Sequence, residues 1–246
     1  MAGLNQECCE PAPPPAGGVY VCVGGLETFQ HLTAYVTGSP HAKAAVIFAS
    51  HALGFEVSNL RKLADKVAAA GYYVVVPDYF HGEPLVLGSA ENRLAGLGDW
   101  LKRHGPEKGF EDSTKVIEVL KSRGISTIGA VGFCWGAKVV VELLKGEDVK
   151  AGVLLHPSFV TIDDIKEAKV PLTILVPEID EFCTPEIVEQ FRAILSAKPE
   201  VDSFVKIYPG VAHGFTLHYS ENDEVAVRNA EEAHAKMLEW LNKYFN

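Results

Sequence analysis

Basic residues are scarce in this chain: 22 Lys and Arg stand against 32 Asp and Glu, leaving a net charge of -10. That balance argues against nucleic acid and anionic membrane surfaces as partners, because both select basic faces. Long apolar runs are missing as well. No stretch reaches the roughly 18 residues that a bilayer-crossing helix needs. Met1 to Gly18 has neither the basic start nor the apolar centre of a signal peptide, and its prolines at 11, 13, 14 and 15 predict a flexible arm over residues 1–24. Cysteine is sparse and oddly numbered, with five residues at 8, 9, 22, 134 and 183 and no Cys-x-x-Cys spacing. Neither a zinc site nor a disulfide framework follows from such a set, and reduced thiols point to a cytoplasmic setting. The Cys8-Cys9 pair has the chemistry to accept a palmitate, but no basic or amphipathic surroundings to support one. No internal repeat and no interdomain linker interrupts the chain, so residues 25–246 read as one domain.

What is present is core material. Hydrophobic residues make up 48% of the 246 positions and charged ones 22%, a globular composition. From about residue 32 onward, strand-like and helix-like runs alternate. Leu32 to Val36 reads as an alternating edge strand. Ala44 to Phe48, Tyr72 to Val76, Ala151 to Leu155 and Leu172 to Val176 are continuously apolar, as strands buried on both faces are. Leu60, Leu63, Ala64, Val67 and Ala68 recur at helical spacing, with Ser58 as a candidate N-cap and Gly71 as a stop. Further helices are expected near 89–104, 110–123 and 137–145, from Thr184-Pro185 to about Ala197, and from about Asp223 to Tyr244. A last strand is expected over Phe204 to Tyr208. The expected fold is α/β: a mostly parallel, doubly wound sheet covered by helices on both faces.

One pentapeptide carries chemistry. Gly132-Phe133-Cys134-Trp135-Gly136 has the form Gly-x-nucleophile-x-Gly, between an apolar strand and a helix. This is the nucleophile elbow of α/β-hydrolases, with cysteine where serine is usual. The helix N-terminus that follows favours a thiolate. A thiol still needs a base, and His213 lies just past the last strand. Asp180, just past the 172–176 strand, would orient the imidazole and stabilise its cation. Glu178 and Glu181 are rival acids, and Cys183 is a rival thiol without the elbow glycines. The backbone N–H groups of Trp135 and Ala52 are candidates for the oxyanion hole. His51 and His156 follow buried strands and are candidate pocket residues, as are Tyr79, Phe80 and Phe215. His81 reads as an ordinary loop histidine, and no histidine spacing supports a metal.

With Cys134, Asp180 and His213 in this order, the chain resembles the dienelactone hydrolase family. The likeness rests on Gly132 to Lys138, Pro77-Asp78-Tyr79-Phe80-His81-Gly82, Ala212-His213-Gly214-Phe215 and Asn59 to Asp65. It runs from about residue 25 to the C-terminus. The His156-Pro157-Ser158-Phe159-Val160 segment is most similar to the plant and fungal branch, whose plant members often carry the name endo-1,3;1,4-β-D-glucanase. The resemblance implies a cysteine hydrolase of esters or enol-lactones, needing no metal or organic cofactor, with a small-molecule substrate and a monomeric or homodimeric state. Two departures stand out. His51 occupies the place of an acidic residue that contacts the resting thiol in dienelactone-cleaving members. No arginine follows His213 until Arg228, so a carboxylate-binding partner is missing there. Two other readings remain open: a β-glucanase using paired carboxylates, and a non-catalytic receptor that keeps the pocket.

Overall fold

The computed structural model describes residues 21–89 and 92–245. The Cys8-Cys9 pair and all but the last four residues of the expected 1–24 arm lie outside them, so neither expectation is tested there. Eight strands form one sheet: β1 (Gly25–Phe29), β2 (Leu32–Thr37), β3 (Ala44–Ala49), β4 (Tyr73–Pro77), β5 (Thr127–Phe133), β6 (Ala151–Leu155), β7 (Leu172–Ile179) and β8 (Ser203–Ala212). Their spatial order is β1-β2-β4-β3-β5-β6-β7-β8. The β1–β2 and β2–β4 pairings are antiparallel, and every pairing from β4 across to β8 is parallel.

Seven helices accompany the sheet among the described residues: α1 (Ser58–Ala69), α2 (Leu97–Arg103), α3 (Pro106–Ser122), α4 (Trp135–Leu143), α5 (Ile162–Glu167), α6 (Pro185–Ser196) and α7 (Glu224–Phe245). The period of two along each strand divides the core. On β3, Ala45, Ile47 and Ala49 face one cluster with Val116 of α3, Val140 of α4 and Phe191 of α6. Ala44, Val46 and Phe48 face the other, with Leu60 and Val67 of α1 and Met237 and Leu241 of α7. Both faces are therefore dry, which explains the unbroken apolar runs of the central strands.

The structure corrects several boundaries. The 32–36 strand is not at the edge, because β1 pairs outside it. Most of β1 is exposed, so it lacks the apolar pattern that marks a strand. The helix expected over 89–104 shrinks to α2, because residues 92–96 run as turn and loop ahead of Gly96 (φ 85°). Leu94 in that stretch lines a cavity rather than a helical stripe. α3 begins earlier than expected, with Pro106 at its first position. Val57, not Ser58, occupies the capping place of α1. α5 was not expected; Thr161 and Asp164 form a reciprocal capping box at its start.

Candidate active site

Five neighbouring strands end along one edge of the sheet, and each delivers one side chain there. In spatial order these are His51 after β3, Cys134 after β5, His156 after β6, Asp180 after β7 and His213 after β8. Carboxyl ends of parallel strands are where such folds gather function. All five residues line one cavity of about 390 Å³, the size of a small-molecule site.

The elbow sets the nucleophile. Cys134 has φ 51° and ψ -111°, a strained conformation held between β5 and α4. Its N–H donates to the Leu155 carbonyl (3.1 Å), and its carbonyl accepts from Ala137 (3.1 Å) and Ser158 (3.0 Å). A side chain at Gly136 would collide with the Ala49 carbonyl, and one at Gly132 with the backbone of Gly136 and Ala137. Strand and helix therefore approach this closely only because both positions are glycine.

His213 is oriented from behind. Its Nδ1 lies 2.8 Å from Asp180 Oδ2, while the other Asp180 oxygen accepts from the N–H groups of Phe182 (2.8 Å) and Cys183 (3.2 Å). The Phe182 ring packs against the imidazole with centroids 5.0 Å apart. Facing the cavity, His213 Nε2 is 3.5 Å from Ser158 Oγ, which is 3.4 Å from Cys134 Sγ. Burial opposes charge on both groups of the pair, yet their mutual attraction wins. Cys134 is lowered, against burial, by His213, by the Ser158 hydroxyl and by the Trp135 N–H. His213 is raised well above the ordinary histidine value, against burial, by the Cys134 thiolate and Asp180. Both shifts run in the direction that favours a thiolate beside an imidazolium over the neutral pair.

Of the rival groups, Glu181 lines the same cavity, although Asp180 is the carboxylate bonded to His213, and the other two are placed differently. Glu178 accepts from the Gly210 N–H (2.8 Å). Cys183 is buried and its thiol is pushed up to about 12 by burial and by Asp180. Trp135 and Ala52 line the cavity beside Cys134, and the Ala52 carbonyl accepts from Leu85 (2.8 Å). Among the pocket expectations, His51 and His156 line the cavity, but Tyr79, Phe80 and Phe215 do not. Tyr79 is buried with its hydroxyl 2.8 Å from Ser113. Phe80 packs edge-on against Trp100 and Trp135, and Phe215 lies tilted on Tyr208 and edge-on to His156. Their aromatic character serves the core. His81 stays half-exposed, 3.4 Å from Asp112 and away from the cavity. Sequence reasoning missed Ser158, His218 and Arg93 as cavity residues. Ser158 stands in the 156–160 segment, between a proline and a phenylalanine, with no periodicity or motif to mark it.

Among the described residues, no three His, Cys, Asp or Glu side chains form a group that could hold a metal, and no helix is long and apolar enough to cross a membrane.

Comparison with known proteins adds the lineage. The family model described as "Dienelactone hydrolase family" matches residues 32–245. A maize protein (Zea mays) named endo-1,3;1,4-beta-D-glucanase is 42% identical over 69% of this chain, a match that spans only 54% of the maize protein. A carboxymethylenebutenolidase homolog from Xenopus tropicalis is 31% identical over 99% of this chain and 100% of its own length. Among solved structures, a dienelactone hydrolase-like promiscuous phosphotriesterase from metagenomic libraries superimposes with a TM-score of 0.66 at 16% identity, covering 91% of this chain and 98% of that one.

Proposed function

The chain belongs to the dienelactone hydrolase family, and we propose that it is a thiol-dependent hydrolase of carboxylic esters or lactones in which Cys134, His213 and Asp180 form the catalytic triad. The observation that carries this reading is the Asp180–His213 pair at 2.8 Å, with its imidazole turned toward a depressed thiol at a strained elbow.

The chemistry follows in two halves. The Cys134 thiolate attacks the substrate carbonyl, and the C=O electron pair moves onto oxygen. The N–H groups of Trp135 and Ala52 receive that oxyanion. When the tetrahedral adduct collapses, the C–O bond to the leaving group breaks and the His213 imidazolium gives its proton to the departing oxygen. A thioester on Cys134 remains, and His213 is now neutral. It takes a proton from water as that water attacks the thioester. The second adduct expels the thiolate, restoring the ion pair and releasing the carboxylic acid. Asp180 keeps Nδ1 protonated throughout, so that Nε2 is the nitrogen that exchanges protons.

The glucanase reading has less support. Asp180 is already committed to His213 and to two backbone N–H groups, and Glu178 binds the Gly210 N–H. Asp180 and Glu181 are the carboxylates that line the cavity, and Asp180, which holds the imidazole, is not free to serve as half of the acid pair that glycoside hydrolysis needs. Cys134→Ala decides the matter: hydrolysis of an activated ester should vanish, with loss of the thioester adduct that acid quenching and mass spectrometry detect in the parent. Ester turnover that survives in Cys134→Ala would sink the proposal, and glucan cleavage insensitive to thiol alkylation would favour the alternative.

A further inference from the structure

The cavity holds polar groups that the two half-reactions do not use. His51 is only 4% exposed, lines the cavity, and has no well-formed hydrogen bond at either ring nitrogen, its polar contact being with its own backbone. His156 is fully buried; its Nε2 lies 2.8 Å from Thr216 Oγ1, but its Nδ1 has no partner. Buried polar atoms without partners are exceptional in folded proteins, and their concentration in a binding cavity marks places reserved for a ligand.

The two rings flank Cys134 along the sheet edge. His51 is stacked on His218 with centroids 4.9 Å apart, and His156 meets His213 edge-on at 5.2 Å. Both are uncharged. Burial pushes each well below the ordinary histidine value, and the nearby histidines push the same way. A neutral imidazole offers one donor and one acceptor nitrogen, but no counter-charge. The Cys134 thiolate and the Asp180 and Glu181 carboxylates are the negative groups lining this cavity, against the Arg93 guanidinium and a His213 imidazolium already paired with Asp180 and Cys134, so negative charge is in excess. Leucines 53, 85, 87, 94 and 97 make the remaining wall mostly apolar.

We propose that His51 is a specificity-determining residue that hydrogen-bonds a hydroxyl group of the substrate, so that the preferred substrates are uncharged, hydroxyl-bearing lactones or esters rather than carboxylate-bearing ones. This rests on the esterase reading above and deepens it. A hydroxyl matches a neutral imidazole because each can both give and accept a proton. A substrate without that hydroxyl leaves the His51 nitrogens unsatisfied, and a carboxylate enters beside negative groups.

The test uses three lactones: dihydrocoumarin, its 6- or 7-hydroxy derivative (whichever turns over faster), and the matching carboxylate. The full-length protein should favour the hydroxy-lactone over the parent lactone by about tenfold or more in kcat/KM, the worth of one well-formed buried hydrogen bond. The carboxylate should be the poorest. His51→Phe keeps the stack on His218 and should bring the hydroxyl preference to within about threefold, while His51→Gln, which still has a donor and an acceptor, should retain part of it. Equal rates on hydroxy and parent lactones, a preference for the carboxylate, or a hydroxyl preference unchanged in His51→Phe would each overturn the assignment. The corresponding lactams, titrated into Cys134→Ala by tryptophan fluorescence, separate the two claims. A hydroxy-lactam preference that depends on His51, without Cys134-dependent turnover of any lactone, would leave the role of His51 standing and fell the esterase reading.

Discussion

Replacing Ser158 with alanine tests the electrostatics of the thiol directly. The Ser158 hydroxyl is buried, 3.4 Å from Cys134 Sγ and 3.5 Å from His213 Nε2, so it is positioned to donate to the thiolate while accepting from the imidazolium. A hydrogen bond to a charged group contributes about 1.5–3 kcal/mol net. Here the sulfur contact is long, and the lower end of that range is appropriate. About 1.4 kcal/mol corresponds to one unit of pKa. The Cys134 titration midpoint should therefore rise by about one unit in Ser158→Ala, while the main cause of its depression, the His213 cation, remains.

The assay is the rate of alkylation by iodoacetamide against pH, with Cys134→Ala subtracting the other cysteines. The parent should already react rapidly below the ordinary thiol range, because the thiolate exists at rest. In Ser158→Ala the profile should shift toward higher pH, and the plateau should be equal or slightly faster, since a more basic thiolate is a better nucleophile. A midpoint that stays in place, or moves down, would refute the claim that this hydroxyl stabilises the thiolate.

Other perturbations test the scaffold. Gly136→Ala forces a methyl group onto the Ala49 and Ser50 carbonyls and should cost about 2–4 kcal/mol in denaturant unfolding, with activity falling further than stability as Cys134 is displaced. Asp164 is buried and receives Lys138 (2.7 Å), Lys145 (2.9 Å) and the Thr161 N–H (2.8 Å); Asp164→Ala removes the capping box of α5 and leaves the two lysines to Glu142 and Glu167, and should cost about 1–3 kcal/mol. His234 is held down at about 4 by burial, so the folded state binds its proton less readily than the unfolded chain does. Its contribution is present above the ordinary histidine value near 6.5 and is lost as pH falls toward 4, worth about 3 kcal/mol in all. Thermal midpoints should drop across that window, and His234→Gln should flatten the drop.

The parallel core was legible because burial on both faces leaves an unmistakable sign: strands such as Ala44–Ala49 and Tyr73–Pro77 contain almost nothing polar. The elbow was legible because its two glycines answer a steric demand at fixed spacing. β1 was not, since one row of its side chains faces water and its pattern dissolves into Glu27 and Thr28. The stretch around Leu94 misled for a related reason. Apolar spacing reports that side chains are buried, not what covers them, and here a cavity wall takes the place of a helix–sheet contact. Tyr79, Phe80 and Phe215 repeat the lesson in reverse, since aromatic residues beside a motif were read as pocket and proved to be packing. Ser158 escaped because a serine between a proline and a phenylalanine has no pattern; only the fold of β6 beside β5 brings it to the thiol.

The site holds four histidines with unequal fates, and the inequality is informative. His51, His156, His213 and His218 line one cavity, and like charges at such separations in a dry region cannot all be cationic. Between His51, His156 and His213 the charge settles on His213, which has an anionic partner at 2.8 Å behind it and the Cys134 sulfur in front. Once it does, His213 itself helps to hold His51 and His156 neutral. Burial is the main reason that His51 and His156 stay neutral, and the charge on His213 adds to it. Removing the Asp180 carboxylate should then do more than slow proton transfer. In Asp180→Asn the charge on His213 weakens, the penalty on its neighbours relaxes, and the histidine signals of residues 51 and 156 should titrate at higher pH in NMR. Nucleophile and specificity wall are electrostatically coupled.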